Sequence, residues 1–158
     1  MIKRIPQRTK TDCAISTVAM VMGHPYSYER VLNDSDKYAK FSDSGKFFSW
    51  WEPYLRDECF QVCYRPFSDL YALPRFGGCV VGLLGMDIPH IKMVHIVAVD
   101  ELGVIDPADN APDHIEINEY VISRKAQGVN FHSEFLAIER RKPQLYHGDR
   151  DITKMRTI

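Results

Sequence analysis

Hydrophobic and polar positions divide this chain into two unlike stretches. Residues Cys13–Met22 (CAISTVAMVM) are almost wholly apolar with no period-two alternation, which predicts a helix buried on most sides. Thr11 or Asp12 is placed to cap that helix, and Gly23 followed by Pro25 ends it. A short second helix is predicted over 26–32, ending near Asn33. Ser44 is placed to cap a third over 46–57, where Phe47, Trp50, Trp51, Tyr54 and Leu55 recur at helical spacing. From residue 60 the pattern turns to strands: 60–64, then 78–86 (GCVVGLLGM) as a buried one, then Val94–Asp100 (VHIVAVD). Alternation in the last of these puts His95, Val97 and Val99 on one face. Glu101-Leu102-Gly103 predicts a tight turn into a strand over 104–106, a hairpin in which Gly103 supplies positive φ and Pro107 ends the pairing. A helix over 116–125 and a strand over 134–140 complete the series. Helices first and antiparallel strands after give an α+β class, with N-terminal helices packed on a C-terminal antiparallel sheet.

Composition adds limits to this picture. A chain of 158 residues and 18.3 kDa is the size of one domain. No repeat, low-complexity tract or Ser/Gly linker divides it, so one domain is expected over 1–141, followed by a polar tail over 142–158. A hydrophobic fraction of 45% is enough for a core and excludes a disordered chain. Twenty basic residues against 21 acidic ones leave a net charge of −1, so no general basic field draws nucleic acid to the protein. The longest uncharged run, 13–28, falls short of the roughly 18 residues a membrane span needs. Four cysteines are too few for a disulfide scaffold and suit a reducing compartment. Lys3, Arg4, Arg8 and Lys10 ahead of the apolar run mimic a signal peptide. Asp12 abuts that run, however, and no small-x-small cleavage site follows, so the cytoplasm is the expected location.

The candidate chemistry is concentrated at the start of the first helix. Cys13 would stand in its first turn, where the helix dipole and free backbone N–H groups favour a thiolate. The same amides can donate to an oxyanion, and the side-chain amide of Gln7, six residues earlier, can supply a second donor. A nucleophilic cysteine needs a base, and the base needs an orienting acceptor. His95 is the best candidate base, because the predicted hairpin folds its strand back toward Asp106. Cys13, His95 and Asp106 would then meet between the helical and sheet halves, leaving a substrate groove there.

Taken singly, each of these residues has an ordinary explanation. Cysteine on an apolar helix is most often a small buried hydrophobe, histidine in an apolar strand a satisfied core residue, and Asp-Pro a turn. The constellation carries the case. Gln7-x5-Cys13 with Asp12 before the cysteine, Ala19-Met20 late in the helix, His95-Ile-Val-Ala-Val and Ile105-Asp106-Pro107 together resemble the C39 (bacteriocin-processing) peptidases and their C39-like relatives. The resemblance runs from about residue 7 to residue 140. It implies a papain-like cysteine peptidase fold, with Cys13 as nucleophile, His95 as base, Asp106 as its orienting carboxylate and Gln7 as oxyanion-hole donor. It implies a peptide or protein substrate and no cofactor. Ala14 stands where the family usually has glycine, and the membrane spans of the exporter-linked members are missing. A function of a different class on the same scaffold is a protein-binding or inhibitory module with an altered triad.

Other patterns are weaker. Cys59-x3-Cys63 with Cys79 and His90 has loose zinc spacing but no second matched pair, so core or half-buried thiols are expected there. His24, His114, His132 and His147 show no ligand spacing, and Gly77-Gly78 precedes a strand instead of opening a helix. The rings Phe47, Phe48, Trp50, Trp51 and Tyr54 read as core with one or two free to line a groove. Lys3, Arg4, Arg8 and Lys10 read as a solvated face that is also able to hold a thiolate or attract an acidic partner. Specificity is expected from loops over 37–46 and 86–92, the latter bordering the groove.

Overall fold

In a computed structural model that describes residues 2–41, 50–91, 93–108 and 110–140, the apolar run forms α1 (Cys13–Met22), with nine of its ten residues buried. The second helix, α2 (Tyr28–Ser35), begins two residues later than its hydrophobic pattern suggested. Ser27 accepts from the Arg30 amide and so fixes the start. A 3-10 segment (Asp36–Phe41) follows, and α3 covers Trp51–Asp57. Ser44, Phe47, Phe48 and the tail over 142–158 lie outside the described residues.

Among the described residues six strands form one antiparallel sheet: β1 (Gln61–Pro66), β2 (Val80–Asp87), β3 (Val94–Asp100), β4 (Gly103–Ile105), β5 (Asn130–Phe131) and β6 (Glu134–Glu139). Their order is β1-β6-β2-β3-β4, and β5 continues along the edge of β2 that β6 leaves. The last strand therefore enters the middle of the sheet. A second 3-10 segment (Phe67–Phe76) links β1 to β2, and α4 (Ile117–Ala126) links the hairpin to β5. Glu116 caps α4 by accepting from the Glu119 amide.

The hairpin of β3 and β4 forms as expected but starts one residue earlier: Gly103 already pairs, opposite Asp100, and Ala98 lies opposite Ile105. Gly103 adopts φ +135°, and a Cβ there would lie 2.2 Å from the Ile115 carbonyl oxygen, so both its backbone and its space require glycine. Val97 and Val99 share a face of β3, as its alternation predicts, and the opposite face is apolar too. Ile96 and Ala98 join the core beneath α1, whereas Val97 and Val99 join a second core with Ile117, Tyr120 and Val121 of α4. β3 is covered on both faces, which is why its sequence is apolar at nearly every position. The chain is mixed α/β, with helices on both sides of the sheet. No helix among the described residues is long and apolar enough to cross a membrane.

Candidate active site

The packing of α1 along β3 sets the positions of the reactive groups. Thr17 donates its hydroxyl to the Ile96 carbonyl at 3.0 Å, and one helical turn earlier Cys13 Sγ lies 3.9 Å from the Val94 carbonyl. Four residues of helix rise roughly 6 Å and two residues of strand roughly 6.6 Å, so the two elements stay in step. Cys13 is thereby held at the first position of α1, opposite the start of β3, where His95 stands.

His95 completes the line. Its Nε2 lies 2.7 Å from Asp106 Oδ1, and the Cys13 side chain stands beside its ring. With Nε2 committed to the carboxylate, Nδ1 is the ring nitrogen left to face the thiol. Burial disfavours the imidazolium, but hydrogen bonds to Asp106 and Cys13 and the charges behind them outweigh it. The histidine is pushed up to about 9.

Asp106 lies just past β4 and is fully buried. Oδ1 accepts from His95 and from the Ala108 amide at 2.9 Å. Oδ2 accepts from the Tyr120 hydroxyl and from Arg124 Nη2, each at 2.7 Å. Burial alone would raise the carboxyl, yet the hydrogen bond and charge of His95 with those other donors hold it far below the usual carboxylate range. Tyr120 and Arg124 were not picked out from sequence. The signal was present: Ile117, Tyr120 and Val121 trace the buried stripe of α4, and Arg124 is the next position on that stripe.

Gln7 is brought to the same corner by its main chain. Its amide donates to the Pro107 carbonyl at 2.8 Å, and the Ser16 hydroxyl of α1 donates to the neighbouring Pro6 carbonyl at 3.2 Å. Gln7 Nε2 donates to the Thr9 carbonyl at 3.0 Å, and Oε1 is buried with no hydrogen-bond partner. One of the two Nε2 hydrogens remains for another acceptor.

Asp12 does not cap α1 with its side chain. Its carboxylate turns back, accepting from the Arg8 and Thr9 amides and from the Tyr28 hydroxyl, so no side-chain acceptor takes the first-turn amides of α1. The helix N-terminus keeps those donors for a ligand or a thiolate. Among the basic residues ahead of the helix, Arg4 donates to the carbonyls of Asp106 and Ala108, and Arg8 pairs with Glu29 and covers the Tyr28 ring. Both are engaged within the fold.

Several other expectations change. β2 runs through Asp87 into the segment expected as a loop, with Met86 paired to His95. Ile91 and Met93 in the short connection are exposed. Cys59 and Cys63 are exposed, where buried or half-buried thiols were expected. Cys59 sits at φ +64° just past α3, and Cys63 lies on the edge strand β1, where only Val62 is buried. Trp50 and Trp51 are half-buried against the core, and Tyr54 is buried with its hydroxyl on Asp34. Among the described residues no group of three or more His, Cys, Asp or Glu is placed to hold a metal. A recess of about 410 Å³ opens beside β5, lined by Phe67, Lys125, Phe131 and His132 among others, and none of the four candidate residues lines it. No family model matches the chain, and no curated protein or solved structure matches it either.

Proposed function

We propose that this protein is a cysteine hydrolase, a peptidase of papain-like architecture and C39-like type. One observation carries the proposal: a cysteine at the first position of a buried helix, beside a histidine whose far nitrogen is held by a fully buried carboxylate. The raised histidine favours an imidazolium beside a sulfur, the pairing such a nucleophile needs.

Cys13 Sγ gives its proton to His95 Nδ1 and attacks the scissile carbonyl carbon, forming the C–S bond. The oxyanion is met by the Cys13 backbone N–H at the start of α1 and by the free Nε2 hydrogen of Gln7. As the tetrahedral intermediate collapses, the C–N bond breaks and His95 returns the proton to the leaving amine. Water, deprotonated by His95, then attacks the thioester. The acid is released and the thiol regains its proton. Asp106 keeps the proton on Nε2 and the ring in place throughout.

A second reading, the same scaffold as a binding or inhibitory module, is favoured by one observation: Gln7 Nε2 is held by Thr9. Alkylation by iodoacetamide across pH 4–10, read at each of the four cysteines by mass spectrometry, separates the two. A hydrolase shows Cys13 alkylated at mildly acid pH ahead of the more exposed Cys59 and Cys63, and loses that lead in His95→Ala. A Cys13 slower than the exposed thiols at every pH, and indifferent to His95, defeats the peptidase reading.

A further inference from the structure

Asp106 is held from two sides. On the Oδ1 side are His95 and the Ala108 amide. On the Oδ2 side are two groups from α4, the Tyr120 hydroxyl and the Arg124 guanidinium. Tyr120 and Arg124 are four residues apart, so one helical face presents both, and the guanidinium lies 5.1 Å from the centre of the Tyr120 ring. Arg124 differs from every other donor to Asp106: it carries a permanent charge, and its side chain is 28% exposed while the carboxylate is not exposed at all. It connects a fully buried acid to water.

We infer that Arg124 is a positioning residue of this site: it fixes the carboxylate of Asp106 toward His95 and offsets part of the negative charge that His95 experiences. The inference rests on the Cys13–His95–Asp106 reading and extends it to the proton-return step. A buried carboxylate paired with histidine alone holds the imidazolium more firmly and so slows the return of its proton to a leaving amine. A guanidinium on the opposite oxygen withdraws part of that hold without displacing the histidine. The groups facing this pair are Cys13 from α1, Tyr120 and Arg124 from α4, and Arg4, which reaches the main-chain carbonyl of Asp106 from the N-terminal segment. Met86, opposite His95 on β2, carries no charge.

The test compares Arg124→Gln and Arg124→Lys with the unaltered chain, using two measurements. The first is the NMR titration of the His95 ring, which needs no catalysis. Loss of the guanidinium in Arg124→Gln is expected to move the midpoint upward by about one pH unit or more, because the charge removed acts on His95 from across the carboxylate, on its opposite oxygen. Arg124→Lys, which keeps the charge, is expected to restore most of that shift. The second is the ratio of amide to activated-ester hydrolysis. An ester leaving group needs no proton, so Arg124→Gln is expected to slow amide turnover about tenfold relative to the ester. A His95 midpoint that stays in place in a folded Arg124→Gln, confirmed by circular dichroism, overturns the inference even if the enzyme is active. A midpoint that moves as expected in a protein that hydrolyses neither substrate supports the coupling and defeats the hydrolase reading instead. Should Arg124→Gln fail to fold, Tyr120→Phe is expected to leave the midpoint within about half a unit. A larger movement than that would assign the effect to the hydroxyl and overturn the role given to Arg124.

Discussion

The hairpin of β3 and β4 ends in two buried carboxylates that are built alike and placed for different ends. Asp100 stands at the turn and Asp106 at the open end, and neither has exposed surface. Each accepts the amide two residues on, Leu102 for one and Ala108 for the other, each at 2.9 Å. Each also holds a histidine through Nε2, His114 at 3.1 Å and His95 at 2.7 Å. They part company at the remaining contacts. Asp100 takes the main-chain N–H of Ile2 and so pins the N-terminal segment to the sheet. Asp106 takes a tyrosine and an arginine, and its histidine reaches a thiol. A buried Asp–His pair is therefore no signature of catalysis in itself. What the other ring nitrogen meets decides the matter.

Substituting the two acids is the strongest way to test that contrast. Asp106→Asn is expected to cut amide hydrolysis by on the order of 10⁴, as when a triad histidine loses the acceptor that fixes its tautomer. Asp100→Asn is expected to leave turnover within about threefold, because its contacts are to Ile2, Leu102 and His114. Its cost is stability instead, about 1–3 kcal/mol for buried donors left without a full acceptor, measured by urea unfolding. Equal losses of activity from the two would erase the distinction drawn here. A smaller effect follows from pH. Folding raises His95 from 6.5 to about 9, so its pairing contributes fully below about pH 6.5 and is lost as the pH rises through 9. The melting temperature is expected to fall by roughly 5 °C over that window, and the slope over the same window to flatten in His95→Gln. An unchanged slope in that variant would place the titration elsewhere.

Much of this arrangement was legible in the chain because it depends on local pattern. β3, the Gly103 turn and the position of Cys13 at a helix start follow from apolar runs and from one residue that tolerates positive φ. The separation of His95 and Asp106 within one hairpin made their pairing foreseeable. Three things escaped for physical reasons. Strand order depends on contacts between distant segments, and nothing in 134–140 says that β6 inserts between β1 and β2. Asp12 looked like a cap because capping is judged from sequence neighbours, whereas Tyr28, sixteen residues away, claims its carboxylate. Tyr120 and Arg124 lay on a stripe that could be drawn, but their target became visible only once α4 was seen against Asp106.

The distance along the chain between the reactive groups has a consequence for biosynthesis. Cys13 leaves the ribosome early, while His95 and Asp106 follow only after most of the described fold has been made. At roughly 5–20 residues per second, the thiol waits about 5–20 s for the partners that would activate it. Until β3 and the segment past β4 have emerged and docked on α1, the nascent polypeptide carries an ordinary cysteine. On the proposed reading, reactivity is switched on by completion of the fold, so a truncated translation product would carry no activated thiol.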